Sequence, residues 1–103
     1  MKITRGRLSE LFELIFDIGE LTKSVKDDPY VFVLYSNLDG TLEVSVNTNG
    51  FQKPMDGFDK KYSFDLNGDI LKTEWNECMN ELLYCLDILK EGRPKEDDTE
   101  LDR

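Results

Sequence analysis

The segment YVFVLYSNLDGTLEVSVN, residues 30–47, predicts a β-hairpin in the middle of the chain. Its first half, Tyr30–Ser36, is a run of β-branched and aromatic residues that is apolar on both faces, which is typical of a central strand or of one covered on both sides. Residues 37–40 supply the Asn, Asp and Gly of a turn. The second half, Thr41–Asn47, alternates, and its apolar face holds Leu42, Val44 and Val46.

A third strand and an amphipathic helix lie on either side of this hairpin in the sequence. Asp59–Leu66 alternates between polar and apolar residues and predicts the third strand. Residues 8–26 predict a helix that ends before Pro29, because the residue before a proline is pushed out of the helical region. The apolar stripe of this helix consists of Leu8, Leu11, Phe12, Ile15, Ile18, Thr22 and Val25.

Residues 70–91 predict a second helix, with Asp69 as its N-terminal cap and Gly92 where a glycine commonly follows a helix. Two cysteines, Cys78 and Cys85, fall in its apolar stripe seven residues apart. On one helix they lie roughly 10 Å apart, which is too far for a disulfide, so we interpret them as small buried hydrophobes. The full stripe is Leu71, Trp75, Cys78, Met79, Leu82, Cys85, Leu86 and Leu89.

The order helix, three strands, helix predicts an α+β domain in which an antiparallel three-stranded sheet holds the N-terminal and the C-terminal helix mainly on one face. Residues 1–92 form this single predicted domain, with a loop at 48–58. Residues 93–103 are predicted to be a disordered acidic tail, since they contain one apolar side chain. The predicted core consists of Phe12, Ile15, Val31, Val33, Val44, Phe64, Trp75, Leu82 and Leu86.

The composition is strongly acidic and excludes several classes of protein. The 103 residues include 22 Asp and Glu against 13 Lys and Arg, a net charge of -9, and no histidine. We therefore expect no direct contact with nucleic acid, which requires a basic face. The usual zinc ligand and general base are missing. Because no apolar run could cross a bilayer and the N-terminus does not look like a secretion signal, we expect a cytoplasmic protein with no membrane partner. We also expect no cofactor.

The segment from Ser63 to Glu74 resembles an EF-hand calcium loop. The third, fifth, sixth, eighth and twelfth places of such a loop are matched by Asp65, Asn67, Gly68, Ile70 and Glu74. However, Ser63 stands where the family has an aspartate, Leu71 offers no oxygen at the ninth place, and the residues before the loop alternate like a strand. A strand-to-helix turn is the preferred interpretation, and a calcium-binding domain is kept as an alternative.

No catalytic set is recognisable in the sequence. Asp56, Asp59 and Lys61 are the residues from which a metal-dependent nuclease core could be built, but they crowd into one loop edge and suit a charged loop better. Without histidine, the common base-assisted nucleophiles are also missing. We therefore expect a protein that is not an enzyme.

Two rows of carboxylates follow the predicted helices at three- and four-residue steps, and a tyrosine continues the second row. Such rows are either ordinary solvated helix faces or a negative surface that imitates phosphates and docks in a basic groove of a protein. In the second case the partner would also contact apolar side chains beside the carboxylates, namely Tyr84, Ile88, Leu14 and Leu21. The predicted partner-binding residues are Glu10, Glu13, Asp17 and Glu20 on the first helix and Glu74, Glu77, Glu81 and Tyr84 on the second.

This layout is similar to that of small phage- or mobile-element-encoded inhibitors, which include anti-CRISPR proteins and DNA mimics that block restriction. The resemblance covers length, acidity, element order and the lack of a catalytic set. It implies a non-catalytic inhibitor, acting in the cytoplasm of the host cell, that binds a larger basic protein such as a nucleic-acid-binding effector. Toxin-neutralising immunity proteins are also small, acidic and cytosolic, and they give an alternative. A domain this small buries about two-thirds of its unfolded surface, so we also expect modest stability or homodimerisation.

Overall fold

The computed structural model describes residues 1–24, 26–48, 50 and 59–92. The order helix, three strands, helix confirms the predicted α+β class. Most of the predicted loop at 48–58 and the whole predicted tail at 93–103 lie outside the described residues. The elements are α1 (Arg5–Leu21), β1 (Tyr30–Ser36), β2 (Thr41–Asn47), β3 (Lys60–Asp65) and α2 (Lys72–Glu91).

The three strands form an antiparallel sheet in which β2 lies between β1 and β3. The predicted bounds of β1 and β2 are confirmed. Gly40 closes the hairpin between them: its N–H donates to the carbonyl of Ser36 at 2.9 Å, and its φ is 72°. A side chain at this position would be strained at that φ and would also collide with the side chain of Asn67, so the turn requires glycine.

β1 lies at an edge of the described sheet, so the prediction of a central strand is wrong. Val31 and Val33 on one face of β1 pack against the core. On the opposite face Phe32 and Leu34 are 46% and 54% exposed. β1 is therefore more exposed on this face than on the face that packs against the core.

α1 begins earlier and ends earlier than the predicted helix at 8–26. It begins at Arg5 because the hydroxyl of Thr4 accepts a hydrogen bond from the N–H of Arg7 at 3.1 Å and caps the first turn. It ends at Leu21 because the carboxylate of Asp28 accepts hydrogen bonds from the N–H groups of Lys23 and Ser24 at 2.8 and 3.1 Å. These bonds tie Lys23 and Ser24 to Asp28, outside the helix.

α2 begins at Lys72, two residues after the predicted start, and the prediction that Asp69 caps it is wrong. The chain before α2 is bound to the N-terminus instead. The N–H of Ile70 donates to the carbonyl of Met1 at 2.8 Å, and the ammonium of Met1 donates to the carbonyl of Ile70 at 2.7 Å. This pairing leaves Leu71 at the N-cap and 64% exposed, so its predicted burial is also wrong.

Both helices cover the same face of the sheet, and the core lies between the two layers. Of the predicted core residues, Val44, Phe64, Trp75, Leu82 and Leu86 are buried, and Phe12, Ile15, Val31 and Val33 are half-buried against them. α1 packs against β1 and α2. α2 lies over β3, where the rings of Trp75 and Phe64 meet edge to face with centroids 5.2 Å apart.

Candidate functional site

The α1 acidic face consists of Glu10, Glu13, Asp17 and Glu20, and all four side chains are exposed as predicted. They extend over about 15 Å along the helix axis. The two ion pairs between described residues join Met1 to Asp69 and Lys60 to Glu81, so neither involves this face. Within the described part of the chain, these carboxylates are therefore available to a partner.

The charges of α1 oppose the stability of the helix. Its first turn contains Arg5 and Arg7 and no acidic residue, and its last turn contains Glu20 and no basic residue. Helices prefer the reverse arrangement, and each misplaced exposed charge costs about 0.3–1 kcal/mol. Like charges three or four residues apart add a few tenths of a kcal/mol of repulsion per pair. Folding alone does not explain this pattern.

Phe16 is the exposed apolar residue beside the α1 acidic face. It lies one turn from both Glu13 and Glu20, is 65% exposed, and packs its ring against Phe12 with centroids 6.2 Å apart. The predicted anchors Leu14 and Leu21 are half-buried against the core. Sequence reasoning therefore missed the anchor that the fold provides, although the position of Phe16 outside the apolar stripe was a signal for it.

The α2 acidic face consists of Glu74, Glu77 and Glu81, and its members have different surroundings. Glu74 and Glu77 are exposed, and Tyr84, which continues the row, is 45% exposed. Glu81 is half-buried and is bound within the fold. Ile88, predicted as an exposed anchor in the same row, is buried, so that prediction is wrong.

Glu81 links α2 to two strands of the sheet. The hydroxyl of Thr48, just after β2, donates to Oε2 of Glu81 at 2.5 Å. The ammonium of Lys60 in β3 lies 2.9 Å from Oε1. Burial alone would raise the pKa of Glu81, but the hydrogen bonds from Thr48 and Lys60 and the charge of Lys60 outweigh it and lower the pKa. The same contact raises the pKa of Lys60. Glu81 therefore has a structural role that the sequence pattern did not indicate.

The two acidic faces do not merge into one surface. Because Glu81 contacts Lys60, the α2 acidic face points towards the β3 side of the helix layer. α1 lies on the other side of α2, above β1. The α1 acidic face is the more exposed of the two rows and the stronger candidate site.

The EF-hand-like segment forms a turn between β3 and the chain that leads to α2. The carboxylate of Asp65 accepts the N–H of Asn67 at 3.0 Å, and the carbonyl of Asp65 accepts the N–H of Gly68 at 3.1 Å. Among the described residues, no group of three or more His, Cys, Asp or Glu side chains is placed to hold a metal ion. Of the nuclease-like set, Asp59 and Lys61 are exposed and Asp56 lies outside the described residues.

The cysteines are buried in the helix layer as predicted. Cys78 and Cys85 are not joined in a disulfide, and both are fully buried. Burial, together with the nearby charge of Glu81, raises the pKa of the Cys78 thiol to about 12. A thiol of this kind stays protonated and is a poor nucleophile.

No helix in the described part of the chain is both long enough and apolar enough to cross a membrane. Comparisons with protein-family models, curated proteins and solved structures give no match to this chain. The function is therefore inferred from the arrangement of the side chains.

Proposed function

We propose that this chain is a non-catalytic interaction protein that binds a larger basic protein through the α1 acidic face. The observation that carries the proposal is that four carboxylates stand exposed along one helix whose charge order weakens that helix. A surface that costs stability is better explained by a partner than by folding. Phe16 supplies the apolar contact that such an interface needs at its centre.

The partner is a protein with a basic groove, and a nucleic-acid-binding effector fits this description best. Carboxylates at three- and four-residue steps on a helix present a row of negative charges, as a phosphate backbone does. The net charge of -9 would speed association with a basic surface at low ionic strength. The resemblance to anti-CRISPR proteins and DNA mimics points to the same class of partner. Glu74, Glu77 and Tyr84 would form a second, smaller contact on the β3 side.

A capture experiment with charge-matched variants tests this proposal. The tagged chain is incubated with a lysate of the cell in which it acts, and bound proteins are identified by mass spectrometry. The test variant is Glu13→Lys with Asp17→Lys. The control is Asp87→Lys with Glu91→Lys, two exposed α2 residues at the same spacing. Each substitution adds two positive charges, so both variants change the net charge from -9 to -5.

We expect the wild type and the control to capture the same basic protein and the test variant to lose it. Duplex DNA added as a competitor should release a partner whose groove normally holds nucleic acid. Equal capture by all three proteins would show that the α1 acidic face is an ordinary solvated helix face. Both variants should keep the wild-type circular dichroism, because exposed substitutions change stability by about 0.5 kcal/mol or less.

A further inference from the structure

The edge strand β1 and the residues on either side of it contain no charged side chain. Residues 29–38, PYVFVLYSNL, contain no Asp, Glu, Lys or Arg, although these residues make up 34% of the chain. Exposed edge strands are ordinarily protected by charged side chains, proline within the strand or bulges, because an open backbone edge pairs with other strands. Among the described strands, β1 pairs with β2 alone. The side of β1 that faces away from β2 has no charged side chain, no proline within the strand and no bulge.

Apolar side chains project along this edge on both faces of the sheet. Leu34 is 54% exposed on the face away from the helices, and Tyr35 is 56% exposed on the helix face. Leu38, at the tip of the hairpin, is 93% exposed. Exposed apolar residues that gather in one place mark an interaction site more reliably than scattered ones.

An apolar groove of about 650 Å³ lies beside the start of the same strand. It runs between the C-terminal half of α1 and the first residues of β1. Its walls include the apolar residues Ile15, Phe16, Pro29 and Val31, and Glu20 of the α1 acidic face lies at its border. Gly19 lies in the wall as well, and a Cβ added there would meet no atom within 4 Å. A side chain added at Gly19 would therefore have room in this groove.

We propose that a second copy of this chain occupies the edge, with the two β1 strands paired antiparallel about a two-fold axis through Val33. In this register Val31 faces Tyr35 of the other copy, and Phe32 faces Leu34. The two three-stranded sheets then form one continuous sheet. Every facing pair is uncharged, so the strand is complementary to itself, as a two-fold interface requires.

The same register brings the exposed apolar residues to the groove. Tyr35 of the second copy lies opposite Val31, which lines the groove on the helix face. Continued past the strand, the pairing places Leu38 of the second copy beside the residues just before Pro29, at the groove mouth. Pairing about one axis thus buries the strand edge, the side chains of Tyr35 and Leu38, and the groove together. This coincidence favours a second copy over an unrelated extended segment.

The size and charge of the interface predict a weak dimer whose affinity rises with salt. The exposed parts of Phe16, Leu34, Tyr35 and Leu38 amount to roughly 500 Å², less than the ~800 Å² per partner of a standard interface. Two copies of net charge -9 also repel each other, and salt screens that repulsion. A complex with a basic partner has the opposite dependence on salt, so the two interactions can be told apart.

Sedimentation equilibrium tests the dimer with a matched pair of variants. Leu34→Lys places a charge on the β1 edge, and Leu83→Lys makes the same change at a 46% exposed residue of α2. We expect the wild type and Leu83→Lys to dimerise with a dissociation constant on the order of micromolar, and Leu34→Lys to bind at least about tenfold more weakly. A wild type that stays monomeric at about 200 µM, or a Leu34→Lys variant that dimerises like the wild type, would overturn the proposal.

Two further variants test the two-fold axis and the groove. In the proposed register the two copies of residue 34 are diagonal neighbours about 7–8 Å apart, within reach of long side chains. Mixing Leu34→Lys with Leu34→Glu should therefore give a dimer that is tighter than the dimer of either variant alone. Gly19→Glu, which projects a charged side chain into the groove without disturbing α1, should weaken dimerisation as well. No recovery in the mixture, together with unchanged dimerisation of Gly19→Glu, would rule out this register.

Discussion

Replacing Glu81 by glutamine should destabilise the fold, whereas the same change at Glu77 should not. Glu81 holds α2 to the sheet through Thr48 and Lys60, and its side chain is 12% exposed. Hydrogen bonds to charged groups contribute about 1.5–3 kcal/mol. A glutamine at this position keeps an oxygen that accepts the Thr48 hydroxyl, but the negative charge is removed, so this hydrogen bond becomes weaker. The ion pair with the half-exposed Lys60 is also lost, and it contributes about 0–1 kcal/mol. We therefore expect Glu81→Gln to lower the free energy of unfolding by about 1–2 kcal/mol.

Urea unfolding monitored by the fluorescence of Trp75 measures this difference, because the single tryptophan is buried against Phe64. Glu77→Gln is the control: Glu77 is exposed one turn earlier on α2, and its substitution should change stability by less than about 0.5 kcal/mol. Equal losses for the two variants, or no loss for Glu81→Gln, would refute the structural role of Glu81.

The effect of Glu81→Gln should also depend on pH. The folded state lowers the pKa of Glu81, so its ionised form stabilises the fold above the unfolded pKa of about 4.3. This contribution is lost as the pH falls through the lower folded pKa. The difference in stability between the wild type and Glu81→Gln should therefore be constant from about pH 5 to 8 and shrink below about pH 4. A difference that stays constant down to the acid range would contradict this assignment.

Three further predictions follow from the described contacts. A thiol reagent such as DTNB should label both cysteines in urea and neither in the native protein. Both are fully buried, and burial raises the pKa of Cys78 to about 12. Fast labelling of the native protein would contradict this prediction. Calorimetric titration with calcium should give no binding heat up to about 1 mM, since no group of three or more ligating side chains among the described residues is placed to hold a metal ion. Saturable binding would support the EF-hand alternative. Truncation after Gly92 should leave the melting temperature unchanged, because α2 already ends with a hydrogen bond from the N–H of Gly92 to the carbonyl of Ile88 at 2.8 Å. A fall of several degrees would show that residues 93–103 contribute to stability.

The parts of the fold that depend on local sequence could be predicted, and those that depend on distant contacts could not. The turn at residues 37–40 and the alternation after it located β1 and β2. The start of α2 was misplaced because Ile70 is bound by Met1, which is 69 residues away in sequence. The edge position of β1 was missed because the strand order, unlike the strand itself, is not a local property.

The same distinction holds for the candidate site. The α1 acidic face could be predicted because helical periodicity alone separates its carboxylates from the apolar stripe. Glu81 follows the same periodicity, but its hydrogen bond to Thr48 joins residues 33 positions apart. A row of carboxylates on a helix therefore indicates which side chains share a face and not which of them are bound within the fold.

The affinity of a purified partner for three forms of this chain tests the proposed role of the α1 acidic face. The partner identified by capture is titrated calorimetrically with the wild type, with Glu13→Lys and Asp17→Lys combined, and with Asp87→Lys and Glu91→Lys combined, at low and at physiological salt. We predict at least about tenfold weaker binding for the α1 variant alone, with the wild-type affinity falling as salt rises. Equal losses for both variants would show that net charge alone matters, and full affinity of the α1 variant would show that the partner binds elsewhere.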